Sequence, residues 1–362
     1  MRKRKKIDSS KIILPSIIVF FTVILFLSLP VLFNYNNLQN IIEKKFYSEF
    51  KINLKILGDI SFKIFPRPHY LVNKANLDLN IEDDKSSIIE IKNLKIFIPT
   101  NKIYSKTEIN IEGFEIHNTN IYFNIKDILD FRNHLYYKIN KPIYIKKSKF
   151  FLLDKNKKTI LISPIRKIKY LINNKNNSKE LKIKGNIFDV DYYSFWKRDY
   201  DNPNKTLNEI RLKNPNLFIK NFFSFKGKLF FKGKSSINFL NEDIIINYLM
   251  KDSKIYIDSP NQNSSQKIKL NSKIELDPFF FDAKINIDQK DTNFLIDNLL
   301  SIILNSKEEY LGNMNGNLTL VVNNLKNSII NNGNINLSIK EKVIKLEKSL
   351  FEINGIGKII SD

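Results

Sequence analysis

The sequence predicts a mainly β protein with a few helices, in which an N-terminal transmembrane helix precedes a long series of strands. Two observations lead to this fold class. Residues 12–33 form an uncharged apolar stretch spanning about 33 Å as a helix, enough for a bilayer core. From residue 52 onward, apolar and polar residues alternate with a period of two, which is typical of strands with one buried and one wet face. Short strands joined by polar turns favour an extended sheet over a compact sandwich.

The flanks of the apolar stretch predict its orientation. The basic sequence MRKRKK precedes it, whereas the four residues that follow it carry no charge. The positive-inside bias therefore predicts that the basic tail, 1–11, is cytoplasmic and that the chain after the span lies outside the inner membrane. A cleaved signal peptide is the alternative, but the run is long for such a segment and no A-x-A site follows it. We expect an uncleaved, single-pass anchor.

Composition excludes several function classes. The 362 residues include no cysteine, so disulfides and thiol chemistry are impossible. The formal net charge is +22, and the basic tail supplies only +5 of it. A basic chain can indicate a nucleic-acid partner. Here, however, the lysines alternate with apolar residues along the strands, so we expect a solvated sheet face with affinity for anionic head groups, and no nucleic acid.

Region 34–126 begins with a short helix, because residues 36–50 carry apolar side chains at helical spacing. This helix could lie on the bilayer, close the end of a β-structure or pack in a core. The strands that follow place Ile109 and Ile111 on one face, and the sequence NIYFNIK places Ile121, Phe123 and Ile125 on one face.

The middle region, 127–215, starts with a predicted short helix over 127–138 and continues with lysine-rich strands. The C-terminal region, 216–362, alternates again and contains a predicted amphipathic helix over 291–306, capped by Thr292 and ended by Gly312. Three or four strands follow that helix.

The residues that could act in catalysis or bind a metal or phosphate do not have the sequence spacing that such sites require. His69, His117 and His134 match no zinc motif and are expected to be ordinary surface histidines. The carboxylate pairs at 83–84 and 189/191 lie beside turns, where Asp is expected for backbone capping. The segment 227–235 has one residue too many between its glycines for a phosphate-binding loop. We therefore expect no catalytic residues, no metal site, no cofactor and no enzyme activity.

Residues 31–125 contain, in order, the segments NNLQNIIEKKFYSEF, INLKILGDISFKIFPRPHYLVNKANLDL, IIEIKNLKIFIPT and INIEGFEIHNTNIYF, and the C-terminal region contains NGNLTLVVNNLKNSIINNGNINLSI and INGIGKI. In this order of elements the chain resembles the AsmA family of envelope proteins. The matching positions are Gly58, Ile64, Phe65, Pro66, Pro68, Val72, Leu77, Leu94, Ile96, Ile98, Gly113, Phe114 and Ile116.

The resemblance implies an elongated, curved antiparallel sheet with an apolar groove, held in the periplasm by the inner-membrane anchor. It also implies a role in moving phospholipid or another membrane lipid for outer-membrane biogenesis, with outer-membrane or periplasmic proteins as further partners. The groove candidates are Ile109, Ile111, Ile121, Phe123 and Ile125.

Physical chemistry leaves alternatives open. An apolar sheet face exposed to water forfeits roughly 1.5–3 kcal/mol for each large side chain, so the face must cover itself or hold something apolar. A lipid groove satisfies this requirement. So does a scaffold with a dry, self-packed core that assists outer-membrane protein assembly. A membrane-anchored binder of anionic polymer, suggested by the charge alone, is a third hypothesis.

Overall fold

A computed structural model of the chain shows a mainly β protein with one large sheet and an apolar N-terminal helix. The residues described are 10–78, 88–104, 108–154, 156–175, 177–187, 189–199, 205–213, 216–225, 230–239, 242–260, 267–276, 278–288, 315–323, 330–340, 343–353 and 356–361. The predicted helix 291–306 and the carboxylate pair 83–84 lie outside these residues. At the level of fold class, the sequence-based prediction is confirmed.

The described helices follow the predictions closely. The α-helices are α1 (Ser10–Ser28), α2 (Gln39–Phe50) and α3 (Ile125–Lys138), with 3-10 turns at Leu29–Leu32, Asn36–Leu38 and Thr100–Lys102. The segment Pro15–Leu32 is long and apolar enough to cross a membrane, judged by length and composition. The α-helical part ends before Pro30 because proline has no N–H with which to continue the ladder.

Twenty-three strands account for most of the described chain. They are β1 (Asn53–Ile56), β2 (Ile60–Lys63), β3 (His69–Val72), β4 (Ala75–Asp78), β5 (Ile88–Ile91), β6 (Asn93–Phe97), β7 (Gly113–His117), β8 (Asn120–Asn124), β9 (Ile143–Leu153), β10 (Thr159–Asn173), β11 (Ser178–Ile187), β12 (Val190–Asp199), β13 (Lys205–Leu212), β14 (Leu217–Phe225), β15 (Phe231–Phe239), β16 (Glu242–Lys251), β17 (Lys254–Asp258), β18 (Ile268–Leu276), β19 (Phe279–Asp288), β20 (Gly316–Asn323), β21 (Ile330–Lys340), β22 (Val343–Ile353) and β23 (Gly357–Ser361).

Strands β1, β4 and β5 form a small separate sheet, and the other strands form the large one. The large sheet runs β2–β3–β6, then β7 and β8 end to end along β9, then β10 to β23 in sequence order. Strands β2 and β23 are its two ends, since each pairs on one side only within the described residues. At about 4.8 Å per strand, this succession measures roughly 85 Å across.

The large sheet is not purely antiparallel, which corrects the expectation. Strands β7 and β8 both run parallel to β9, and β19 runs parallel to β20. The parallel pairing of β9 with β7 and β8 follows from α3. This helix connects β8 to β9 and brings the chain back, so that β9 starts at the same end as β7 and runs in the same direction. A parallel pair always needs such a crossover.

Apolar side chains gather in two clusters. The N-terminal cluster packs α2 and the small sheet against the first strands of the large sheet. In it, the ring of Phe114 lies 5.0 Å from that of Phe46 and 4.8 Å from that of Phe50, measured between centroids. The predicted amphipathic helix therefore closes one end of the sheet. The second cluster lies on β16 and β18 to β21.

Candidate functional site

One face of the large sheet is apolar over almost its whole width. Register brings one residue from each strand of β2, β3, β6, β7 and β9 to β16 into a single transverse row. Its members are Ile60, Val72, Leu94, Ile116, Ile145, Ile168, Ile183, Ser194, Ile210, Ile219, Ile237 and Ile244. Only Ser194 in this row is polar. We call this side of the large sheet the apolar face and the opposite side the polar face.

The second cluster continues the apolar face. Leu270, Ile285, Leu320 and Ile335 are successive cross-strand partners on β18 to β21. Beside them, Ile287 is fully buried and Val322 is nearly so. Several members, including Leu270 and Ile285, are only partly buried. The apolar face of this half is thus less completely covered than that of the first strands.

Four of the five predicted groove residues lie in the closed N-terminal cluster. Ile109, Ile111, Ile121 and Phe123 are at most 5% exposed. The ring of Phe123 lies 5.4 Å from Phe131 of α3, so its neighbours are protein side chains. These residues therefore pack in a core.

The predicted alternation of burial holds at these positions, with two corrections to the predicted strands. Asn110 and Tyr122, on the opposite parity, are exposed, as the period of two requires. Ile109 and Ile111 were predicted to lie in a strand, which is wrong: they precede β7 and belong to no strand. Ile125 was predicted to continue the strand of Ile121 and Phe123, which is wrong: β8 ends at Asn124, and α3 starts at Ile125.

The C-terminal end of α3 docks on the apolar face. The hydroxyl of Tyr170 donates to the carbonyl of Leu135 at 2.6 Å, and Nζ of Lys179 donates to the carbonyls of Tyr136 at 2.7 Å and Ile139 at 2.8 Å. A cation at this position satisfies helix carbonyls that have no intrahelical partner. Burial lowers the pKa of Lys179, and the nearby charge of Arg198 lowers it further. Helix α3 thereby covers the apolar face next to the N-terminal cluster.

A line of polar side chains crosses the apolar face beyond α3. The amide of Asn208 donates to Oγ of Ser194 at 3.1 Å, the amide of Asn221 donates to Oδ1 of Asn208 at 2.9 Å, and the hydroxyl of Ser235 donates to Oδ1 of Asn221. Nε1 of Trp196 also donates to Ser194, at 2.8 Å. We call Ser194, Asn208, Asn221 and Ser235 the polar ladder.

The polar ladder is a buried network in which each member has a partner. Ser194, Asn208 and Ser235 are all less than 5% exposed. Its position divides the apolar face into an N-terminal and a C-terminal part. The sequence contains a sign of the polar ladder, because these four polar residues occupy positions at which the alternation of their strands predicts apolar side chains. It could not be interpreted without knowing that the four strands are neighbours in this register.

We predict that the polar ladder responds to mutation as a unit. Asn208→Leu removes the acceptor of Asn221 and should lower the free energy of unfolding by about 1–3 kcal/mol, the cost of an unpaired buried polar group. Asn208→Leu combined with Asn221→Leu and Ser235→Ala also removes the amide of Asn221, which the single change leaves unpaired, and the hydroxyl of Ser235, which donates to Asn221. Ser194 keeps its donor Trp196, so the triple variant should cost less than the single change. Fluorescence of Trp196, the single tryptophan, during denaturant unfolding measures both.

Asn271→Leu, at an exposed position on β18, is the control and should change stability by no more than about 0.5 kcal/mol. A triple variant less stable than Asn208→Leu would contradict the ladder as a coupled network.

The histidines are less exposed than expected. His69 is 2% exposed, with Nδ1 2.8 Å from the carbonyl of Arg67, and burial lowers its pKa. Nε2 of His134 lies 2.9 Å from the carbonyl of Phe50, and burial lowers its pKa as well. The expectation of ordinary surface histidines is therefore wrong for His69 and His134. In the described part of the chain, no group of three or more potential metal ligands occurs.

Glu115 is a buried carboxylate on the polar face. Its oxygens lie 2.6 Å from Nζ of Lys146, 2.6 Å from Nε2 of His117 and 3.5 Å from Nζ of Lys95. Burial alone would raise its pKa, but the hydrogen bonds from Lys146 and His117, together with their charges, lower the pKa to about 2. Glu115 thus joins β6, β7 and β9 through charge, where the antiparallel order gives way to parallel pairing.

We predict that Glu115 contributes to the acid sensitivity of the fold. A folded-state pKa below the unfolded value means that the stabilisation is fully present above about pH 4.5 and is lost as the pH falls toward 2. The contribution near neutral pH is on the order of 2–3 kcal/mol. Glu115→Gln should lower stability at pH 7 and flatten the loss of stability between pH 5 and pH 3, as followed by unfolding midpoints.

Glu108→Gln is the matched control. Glu108 pairs with Lys102 at 3.0 Å, but its side chain is 72% exposed, so solvent screens the pair. Its substitution should leave the pH profile unchanged. Equal profiles for Glu115→Gln and the unmodified protein would contradict the assignment.

Comparisons with known proteins identify no family. No protein-family model matches the chain, and no curated protein matches it. Among solved structures, a match is the crystal structure of the Sex pheromone staph-cAM373 precursor, with 10% sequence identity, covering 100% of this chain and 98% of that one. The TM-score of 0.13 lies far below the value for a shared fold, so this similarity supports no statement about fold or function.

Proposed function

We propose that this chain is an AsmA-like inner-membrane protein that binds or conducts phospholipid along the apolar face of its large sheet in the periplasm, supporting outer-membrane biogenesis. The observation that carries the proposal is the C-terminal part of the apolar face, where Leu270, Ile285 and Leu318 are apolar but only partly buried. The transverse row continues this face toward the N-terminal part, with Ser194 as its one polar member in twelve strand positions, about 53 Å at the usual strand spacing. An acyl chain needs such a continuous apolar surface and no directional partner.

The C-terminal part of the apolar face supports the proposal better than the predicted groove residues do. Leu270, Ile285 and Leu318 are partly buried there, whereas Ile111 and Ile121 are almost completely buried. A side chain already surrounded by protein cannot also hold an acyl chain. We therefore place the proposed lipid contact on β14 to β22.

The connection to the membrane helix also supports the proposal. The hydroxyl of Tyr35 donates to the carbonyl of Pro30 at 2.8 Å, just after α1. The Tyr35 ring lies 5.2 Å from Tyr70 and 5.9 Å from Phe62, which belong to the first strands of the large sheet. A short, packed connection of this kind would hold the start of the sheet at the membrane surface.

A scaffold that assists outer-membrane protein assembly is the second candidate, and the N-terminal cluster favours it. Ile42, Phe46 and Phe50 of α2 are completely buried against the sheet. A chain whose whole apolar face was covered in this way would have a dry core and would act through its outer surfaces.

Photocrosslinking distinguishes the two candidates. We predict that a benzophenone amino acid at Leu270, on the apolar face, captures phospholipid in cells, because acyl chains would contact that position. The benzophenone amino acid placed instead at Lys269, the preceding position of β18, which is exposed on the polar face, should not capture phospholipid. A probe at Phe123, in the closed cluster, is a second negative control. Crosslinked species are identified by mass spectrometry.

Each outcome selects a candidate. Lipid at 270 but not at 269 or 123 supports lipid binding by the C-terminal part. Protein adducts without lipid at these positions favour the scaffold. Equal lipid capture at 269 and 270 would contradict a lipid-binding face.

The proposed orientation has a simple test, because the chain has no cysteine of its own. We predict that Lys284→Cys, exposed on β19, reacts with a membrane-impermeant maleimide in intact spheroplasts, since residues after the span would be periplasmic. Lys6→Cys, in the basic tail, should react only after permeabilisation. The reverse pattern would contradict the orientation.

A further inference from the structure

The polar face carries a basic depression that the proposed function does not use. It measures about 750 Å³ and lies over β10 to β13. Its walls include Lys167, Lys169, Lys182, Lys184, Arg211 and Lys213. These residues lie far apart in the sequence and meet only because their strands are neighbours. We call this feature the basic depression.

Register places like charges directly opposite one another here. Lys167 is the partner of Lys146 on β9 and of Lys184 on β11, and Lys169 is the partner of Lys182. Facing like charges destabilise a sheet. Partial burial lowers the pKa of Lys167, and the charges of Lys169 and Lys146 lower it further. The lysines are therefore close enough to affect one another.

Carboxylates neutralise only part of this charge. Lys182 pairs with Glu180 at 2.7 Å, Arg211 pairs with Glu209 at 3.8 Å, and Arg166 pairs with Asp191 at the rim. Lys146, which faces Lys167, is held by Glu115 at 2.6 Å. Within the described part of the chain, no ion pair involves Lys167, Lys169 or Lys184. On β17 to β19, by contrast, lysines face carboxylates across strands, as at Lys254 opposite Glu275 and Lys273 opposite Asp282. The basic depression departs from that pattern.

We propose that the basic depression binds a compact ligand carrying two or more phosphate groups. Neighbouring strands lie about 4.8 Å apart, and residues on the same face of one strand, two positions apart, are separated by about 7 Å. The side chains of four lysines therefore surround a space suited to two linked phosphates; they are Lys167, Lys169, Lys182 and Lys184. Lysine binds phosphate as a flexible point charge. An anion there would relieve the repulsion between the facing lysines. The depression lies on the face opposite the proposed lipid contact, so the two proposals stand or fall separately.

Calorimetric titration of the full-length protein in neutral detergent with sodium pyrophosphate tests the proposal. The triple variant Lys167→Gln, Lys169→Gln, Lys184→Gln should bind at least tenfold more weakly than the unmodified protein. The matched control is Lys220→Gln, Lys232→Gln, Lys234→Gln, which removes the same charge from the same face of β14 and β15. It should bind within twofold of the unmodified protein.

Three results decide the proposal. Selective loss in the first triple variant supports it. Equal loss in both variants would overturn it, since net charge alone would then explain binding. The unmodified protein provides a test without mutation, because pyrophosphate should raise its unfolding midpoint. If pyrophosphate produces no heat of binding and no shift of the midpoint, the proposal is overturned.

The source of the phosphate groups is distinguished by a second ligand. Farnesyl diphosphate carries the same two phosphates on an apolar chain. If it binds the unmodified protein at least tenfold more tightly than pyrophosphate, and the first triple variant loses both, the site serves a lipid head group. Equal affinities, also lost together, support a soluble phosphate ligand.

Discussion

Backbone pairing between successive strands is the constraint on which the other features of the large sheet depend. From β9 to β19 every strand is hydrogen-bonded to the next strand in the chain. Since side chains alternate between faces, a slip of one residue in any pair would exchange the two faces of every later strand. The transverse row, the polar ladder and the basic depression all exist because the register is kept through eleven strands.

The two parts of the apolar face differ in how far their apolar side chains are shielded from water. In the N-terminal part, α2 and the small sheet supply a second layer, and residues such as Phe46 and Leu94 lose all contact with solvent. The polar ladder marks the end of this arrangement. Its amides and hydroxyls are stable on an apolar surface because they satisfy one another, so that the network has no orphaned member. Beyond it, side chains such as Leu270 remain partly exposed.

Local features were predictable from sequence, and features made by pairing were not. Apolar spacing predicted the helical segment 36–50 almost to the residue, and the helix predicted over 127–138 corresponds to α3, which begins two residues earlier, at Ile125. Alternation predicted the burial of Ile111 and the exposure of Asn110. Alternation does not indicate what covers a face, so the groove candidates and the core residues of the N-terminal cluster have the same signature.

The lysines illustrate this limit. Most of them alternate with apolar residues along a strand, and for Lys232 or Lys269 exposure on the polar face is a sufficient explanation. Only the pairing of β9, β10 and β11 shows that Lys146, Lys167 and Lys184 are neighbours. The parallel junctions are equally invisible in the sequence, because a strand carries no local sign of its partner's direction.

The sequential order of pairing also bears on how the sheet can fold. Between β9 and β19 each strand needs only the next one synthesised, so the contact order is low, and the sheet can grow vectorially by one hairpin at a time. The parallel pair of β19 and β20 is different: Phe281 pairs with Gly316, so β20 can join only after the chain segment between the two strands has been synthesised and its ends have come together. We therefore expect β20 to β23 to join the sheet later than the strands up to β19.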